Sequence, residues 1–224
     1  MMIGRLREMP LFAGLSDQQL EALARCMTTR TFGKGVFVYH KDSPGRTLYI
    51  IQSGRVRLFV ISDMGQEISV DSLGPGEVFG TLAVLDGEPH HTGAVAMETT
   101  VVLMLPRIDL LQGLDDCPVL ARNLVALLVA GIRHSMRYIE DLAFLDVNGR
   151  VAARLLDLAT RCGAKGSAGI ELHLTQGELA SWVVATRESV NKVLAVLRTK
   201  GLIAVDGPRI IILDPSGLQR EAIR

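Results

Sequence analysis

Arg187, Glu188, Asn191 and Lys192 stand at spacings that gather them on one side of a helix. The opposite side carries Val190, Val193, Leu194 and Leu197, an apolar stripe at i, i+3, i+4, i+7. Arginine can donate two parallel hydrogen bonds to guanine O6 and N7, and glutamate can accept from the cytosine N4 amino group. Arg187 and Glu188 occupy the first turn, the end that meets base edges when a helix enters the major groove. Lys192 lies one turn beyond Glu188, placed for a further guanine, a phosphate, or an ordinary i,i+4 pair with Glu188. The chemistry of this face is base readout.

The elements around that face are legible from their punctuation. Thr175-Gln176-Gly177-Glu178 is a capping box, a hydroxyl capping the helix start while the glutamate reaches back. It opens a helix of two turns, about Gln176 to Val183, and Val184-Ala185-Thr186 connects to a second helix with Thr186 as N-cap. Lys200-Gly201 ends that helix. Leu202–Val205, Asp206-Gly207-Pro208 and Arg209–Leu213 then read as a hairpin, which makes the unit a winged helix-turn-helix. Upstream, Arg150 to Cys162 is helical and Gly163–Gly169 is a small-residue loop. Asp146-Val147-Asn148-Gly149 breaks the preceding helix and marks a domain boundary. That preceding helix starts at Pro118, a first-turn proline. Leu120, Leu124, Leu127, Gly131, His134, Tyr138, Asp141 and Leu145 alternate by four and three along it, a heptad seam that points to helix pairing in a homodimer. The alternative is a helix packed on its own body.

From Leu11 to about Leu105 the chain reads as a short helix from Ser16 to Cys26 followed by brief strands. The apolar stretches are Val36–Tyr39, Leu48–Ile51, Val56–Ile61, Ile68–Val70, Ala94–Met97 and Val101–Leu105. Turns such as Ser62–Gly65, Gly74-Pro75-Gly76 and Asp86-Gly87 separate them. Strands this short at spacings near ten residues imply an antiparallel barrel or sandwich.

Composition narrows the function classes. The 224 residues are 48% hydrophobic and 21% charged, a globular balance with zero net charge. Residues 1–148 carry a net −4 and residues 149–224 a net +4, so a polyanion partner would meet the C-terminal third. The longest unbroken apolar run, Leu124 to Ile132, is far short of the ~20 residues a bilayer needs, and the first residues lack a secretory core. A cytoplasmic protein is expected. Cys26, Cys117 and Cys162 are widely separated free thiols, and no zinc or iron–sulfur spacing is present. His90 and His91 are adjacent in an extended segment, so they point to opposite faces and share no metal; both are expected to be partly solvated. No nucleophile–base set or Walker loop marks an enzyme, and none is expected. A ligand-binding regulatory or interaction module without sequence-specific readout is the alternative to a DNA reader.

Nearly end to end, the chain resembles the cyclic-AMP receptor and fumarate–nitrate reduction regulators of bacteria. The residues that carry this are Leu142–Arg150 at the hinge, Thr186-Arg187-Glu188-Ser189-Val190-Asn191-Lys192 in the recognition helix, and Gly74–Gly80 with Leu85-Asp86-Gly87 in the phosphate-binding cassette. The resemblance implies an α+β fold: residues 1–116 form a cyclic-nucleotide-binding-like jelly-roll barrel, 117–145 the dimerisation helix, and 146–224 the winged helix-turn-helix. It implies a homodimeric transcription regulator on a palindromic, TGTGA-like site, with RNA polymerase as a further partner. The DNA-binding set is then Thr175, Gln176, Thr186, Arg187, Glu188, Ser189, Asn191 and Lys192. The effector pocket is Gly80, Thr81, Leu82, His91, Thr92 and Ser135. Two departures stand out there. Thr81 replaces the family's ribose-binding glutamate, and His91 stands for the arginine that neutralises the cyclic phosphate, no arginine occurring between Arg57 and Arg107. Loss of that cation should cost ~2–5 kcal/mol of binding, so cyclic AMP is disfavoured as effector. A third departure is Val184, where the family usually has glycine in the turn; valine resists positive φ.

Overall fold

Leu48, Tyr49, Ile50 and Ile51 are all buried, because the strand that holds them lies between two apolar layers. The computed structural model describes residues 2–62, 65–166 and 169–223. Asp63 and Met64 of the expected Ser62–Gly65 turn, and Ser167 and Ala168 of the expected small-residue loop, lie outside the described residues, as does the Cys162 side chain. The chain divides into two units, residues 1–132 and 133–224.

The first unit begins with α1 (Met2–Glu8), a 3-10 turn and α2 (Asp17–Cys26), where Ser16 and Gln19 form a reciprocal capping box. The strands β1 (Thr28–Phe32), β2 (Phe37–Tyr39), β3 (Thr47–Ser53), β4 (Val56–Ile61), β5 (Glu67–Leu73) and β6 (Val78–Phe79) follow. After them come α3 (Thr81–Asp86), β7 (Gly93–Ala96), β8 (Thr100–Pro106), α4 (Arg107–Asp116) and the long α5 (Pro118–Phe144). Two antiparallel four-stranded sheets result, ordered β1-β8-β3-β6 and β2-β7-β4-β5. Among the described residues they do not close into a barrel; two facing sheets form, the sandwich arrangement of the expected antiparallel barrel or sandwich. One core lies between them, with Tyr39, Tyr49, Ile51, Phe79 and Val102. The other lies between the β3–β8 sheet and the helices, where Leu48, Ile50, Leu103 and Leu105 meet Leu20, Leu110, Leu120 and Leu124. The period-2 alternation of side chains along β3 feeds both cores at once.

In the second unit, α6 (Val147–Cys162) starts directly at Val147, with Asp146 as N-cap accepting from the Gly149 amide at 2.8 Å. The break before it is therefore shorter than the sequence suggests, and Val147–Gly149 form the first turn of the helix. The short strand β9 (Ala164–Lys165) and β10 (Ile170–His173) lead to α7 (Gln176–Val183), α8 (Arg187–Thr199), the hairpin β11 (Ile203–Asp206) and β12 (Arg209–Ile212), and α9 (Pro215–Glu221). The sheet order β11-β12-β10-β9 turns the expected two-stranded wing into a four-stranded one. Val151, Leu155, Leu179, Trp182, Val190, Leu194, Ile203 and Ile210 pack into a single core. Buried apolar surface on these elements, worth ~25 cal/mol per Å² removed from water, holds the short helices in place.

Candidate nucleic-acid interface and effector cassette

The capping box at Thr175 forms: its hydroxyl accepts from the Glu178 amide at 3.2 Å, and the Glu178 carboxylate accepts from the Thr175 amide at 2.6 Å. Gln176 follows in the first turn of α7, half-buried. Thr186 caps α8 in the same manner, accepting from the Ser189 amide at 3.1 Å and sharing a hydroxyl contact with Ser189 at 2.9 Å. Val190, Val193, Leu194 and Leu197 anchor α8 in the core. Arg187, Glu188, Asn191 and Lys192 are consequently exposed on its outer side. Glu188 and Lys192 pair at 3.0 Å across one turn, both largely solvent-exposed, an interaction worth well under ~1 kcal/mol. That weak pair gives up little when a base edge or phosphate competes for either partner. Val184 holds φ +50°, ψ +56°, so the turn keeps its left-handed residue with valine in place of glycine. The amides of Val184 and Ala185 both donate to the Ala180 carbonyl, closing the end of α7.

In the first unit, Gly80 enters α3 at φ +75°, and a Cβ there would lie 3.1 Å from the Thr47 carbonyl oxygen and 3.3 Å from His90 Cε1. Thr81 is half-buried, Leu82 is exposed and Ser135 of α5 is exposed. The expectation for the histidines needs correcting. His91 is exposed, whereas His90 is only 3% exposed and stacks on Tyr39 with ring centroids 3.7 Å apart. His90, not His91, thus faces the start of the cassette helix. Burial pushes its pKa below the ordinary histidine value, so it is neutral at pH 7. Thr92 bonds the Tyr39 hydroxyl, whose pKa burial raises to about 12. Tyr49 and Phe79 stack beside this pair at 5.0 Å. Arg107 donates to the Leu85 carbonyl at 3.2 Å, at the opposite end of α3. The inward wall of the cassette carries the rings of Tyr39, Tyr49, Phe79 and His90, and the Arg30 charge acts on Tyr49 against the upward push of its burial. Cys117 is a buried free thiol and Cys26 a half-exposed one.

Residues 29–117 match the cyclic nucleotide-binding domain family and residues 149–221 match the Crp-like helix-turn-helix domain family. A CRP-like cAMP-activated global transcriptional regulator of Mycobacterium tuberculosis is 33% identical over 214 residues, covering 95% of this chain and 96% of that protein. The chain belongs to the cyclic-AMP receptor and fumarate–nitrate reduction family. The cyclic AMP receptor protein of Thermus thermophilus is 32% identical over 212 residues, covering 95% of each chain. The crystal structure of a CRP-family transcriptional regulator, also from Thermus thermophilus, superposes with a TM-score of 0.77 at 30% identity, covering 87% of this chain and 97% of that one. Membership makes this chain a DNA-binding transcription regulator with a cyclic nucleotide-binding-type domain, and its relatives are regulators rather than enzymes.

For a member of this family the long helix bears on assembly, and here the expected register fails. Leu120 and Leu124 are buried in the protomer's own core, Leu127 packs partly against it, and Tyr138 and Asp141 face a cavity in the second unit. The predicted seam is therefore the inward face of α5. A second stripe, Val125, Val129, Ile132, Met136 and Ile139, also alternates by four and three, and every member is exposed. Heptad spacing alone could have found it, but it was masked by the richer leucine stripe one residue away. By length and composition α5 is apolar enough to cross a membrane. Arg122, Arg133, Arg137 and Glu140 nevertheless lie beside the exposed stripe and interrupt the helix's apolar surface.

Proposed function

We propose that the protein is a homodimeric regulator that reads an inverted-repeat, TGTGA-like DNA site through α8 and whose effector domain binds cyclic AMP weakly or not at all. The observation that carries the reading is the split character of α8. Its core-facing stripe leaves Arg187, Glu188, Asn191 and Lys192 outward at the N-terminal half of the helix, the part that enters a major groove. Arg187 and Glu188 are assigned to guanine and cytosine edges, and Lys192 to a guanine or a phosphate. Thr175, Gln176, Thr186 and Ser189 are assigned to backbone contacts through their capped helix ends. The stripe Val125–Ile139 is assigned to the dimer seam, which would place two recognition helices on two half-sites. Domain limits near 116 and 146 accompany this reading, with RNA polymerase as the downstream partner and the cytoplasm as its location.

Weak cyclic AMP binding is supported by Thr81 in place of the ribose-binding glutamate and by the neutral, ring-stacked His90 that faces the Gly80 turn. Fluorescence anisotropy with a labelled TGTGA palindrome and a scrambled probe tests the DNA reading. Wild type should prefer the palindrome, and Arg187→Ala should lose ~1–3 kcal/mol per half-site while scrambled-probe binding holds. Equal discrimination by the variant would refute the assignment of Arg187.

A further inference from the structure

The second unit holds a cavity of about 270 Å³, bounded by Tyr138 and Asp141 of α5, Arg150 and Arg154 of α6, and Trp182 and Val183 of α7. Arg154 and Asp157 of its wall form an ion pair. Arg154 donates to Asp157 at 2.7 Å, and its guanidinium lies 3.7 Å over the Trp182 ring. Two polar contacts of the wall reach the C-terminal end of α7. The Tyr138 hydroxyl donates to the Trp182 carbonyl at 3.2 Å, and Arg150 Nε donates to the Val183 carbonyl at 2.9 Å. The second arm of Arg150 donates to the Leu145 carbonyl at 3.0 Å, just beyond the end of α5.

Carbonyls in the last turn of a helix have no partner within the helix, so side chains that reach them fix where the helix stops. The next residue is Val184 in its left-handed conformation, and two residues later Thr186 opens α8. Two side-chain bonds, one from α5 and one from α6, therefore set the point from which the recognition helix departs, and the third ties α6 to the residue after α5. A turn built on a left-handed valine does not hold that direction by itself, since a β-branched residue resists positive φ.

We infer that Tyr138 and Arg150 are positioning residues for DNA readout: they tie the end of α5 to the end of α7, so that the setting of the last turns of the long helix determines the setting of α8. This inference rests on the assignment of α8 as the reading helix. Rotation of the last turns of α5 against α6 and α7 breaks the Tyr138 bond, and the reading-competent arrangement loses population in proportion.

Tyr138→Phe removes the hydroxyl and keeps the ring. Hydrogen exchange at the Val184 and Ala185 amides should quicken about fivefold, the worth of one net hydrogen bond. Affinity for the palindrome should fall about fivefold per protomer, roughly twenty-five-fold for a dimer, with binding to the scrambled probe and the sedimentation coefficient unchanged. Arg150→Lys, which cannot span both carbonyls, should shift the same readouts in the same direction. Unchanged exchange and unchanged palindrome affinity in Tyr138→Phe would overturn the inference, as would an equal loss on both probes. A wild-type protein with no palindrome preference would refute the DNA reading instead, and the exchange measurement would still decide the clamp.

Discussion

Ile132→Glu separates the two faces of the long helix. Ile132 is 59% exposed in the protomer and sits in the middle of the stripe formed with Val125, Val129, Met136 and Ile139. Covering what remains of that side chain in a dimer seam is worth ~1–2 kcal/mol, and two-fold symmetry counts it twice. Glutamate forfeits both contributions and brings two carboxylates toward each other in an apolar seam, a further penalty of several kcal/mol. The sum, ~5 kcal/mol or more, weakens dimerisation roughly a thousandfold to ten-thousandfold. Sedimentation velocity from nanomolar to tens of micromolar should show a wild-type dimer and an Ile132→Glu monomer that keeps the wild-type circular dichroism spectrum and loses only the dimer's share of its melting temperature. Leu124→Glu is the contrasting control. Leu124 is 3% exposed in the protomer's own core, so the charge should lower the melting temperature directly. An Ile132→Glu protein that dimerises as tightly as wild type would refute the assignment of this face, and a wild-type monomer at micromolar concentration would refute the dimer.

Two further outcomes follow from the turn and the cassette. Val184→Gly should leave the protein as stable or raise its stability by up to about 1 kcal/mol, because relief of the left-handed strain outweighs the added chain entropy. Urea titration checks the sign, and a loss above ~1 kcal/mol would show that the valine is unstrained. Thr81→Glu combined with His90→Arg should raise cyclic AMP affinity at least tenfold in calorimetric titration at pH 8, since arginine can retain the stack on Tyr39 while adding the missing charge. The same gain from Thr81→Glu with His91→Arg, or micromolar binding by wild type, would refute the placement of His90.

The second unit was legible because its signals are local. Capping hydroxyls at Thr175 and Thr186, the i, i+3, i+4, i+7 stripe of α8 and the Gly207-Pro208 turn each act within a few residues, and each recurs in the structure. What was missed depends on pairing with distant segments. Thr28–Phe32 has no apolar alternation, its first four residues being exposed, and it is a strand only because it pairs with β8, far along the chain. Likewise β10 joins the wing through β12, a partner that the Ile170–His173 stretch does not announce. The long helix failed for a related reason. Leu120–Leu124–Leu127 and Val125–Val129–Ile132 are both apolar stripes of heptad spacing, and only the position of the β3–β8 sheet decides which is inward.

The cassette shows where residue types run out as evidence. Adjacency established that His90 and His91 face opposite ways, but not which of them faces in. That choice is made by Tyr39, presented by β2 from a different part of the chain, whose ring offers a stacking surface at 3.7 Å. The consequence is chemical. A histidine left in water near pH 7 would keep some positive charge, whereas His90 between Tyr39 and the Gly80 turn is driven neutral by burial. The histidine that faces the Gly80 turn is therefore an uncharged aromatic contact, while His91, which stands for the family's arginine, is exposed. On the proposed reading, a cyclic phosphate would meet the amides at the start of α3 with no fixed charge from His90 to offset its desolvation. The same reading directs the search for an effector toward ligands with an aromatic face, which the stacked rings of His90, Tyr39, Tyr49 and Phe79 can meet.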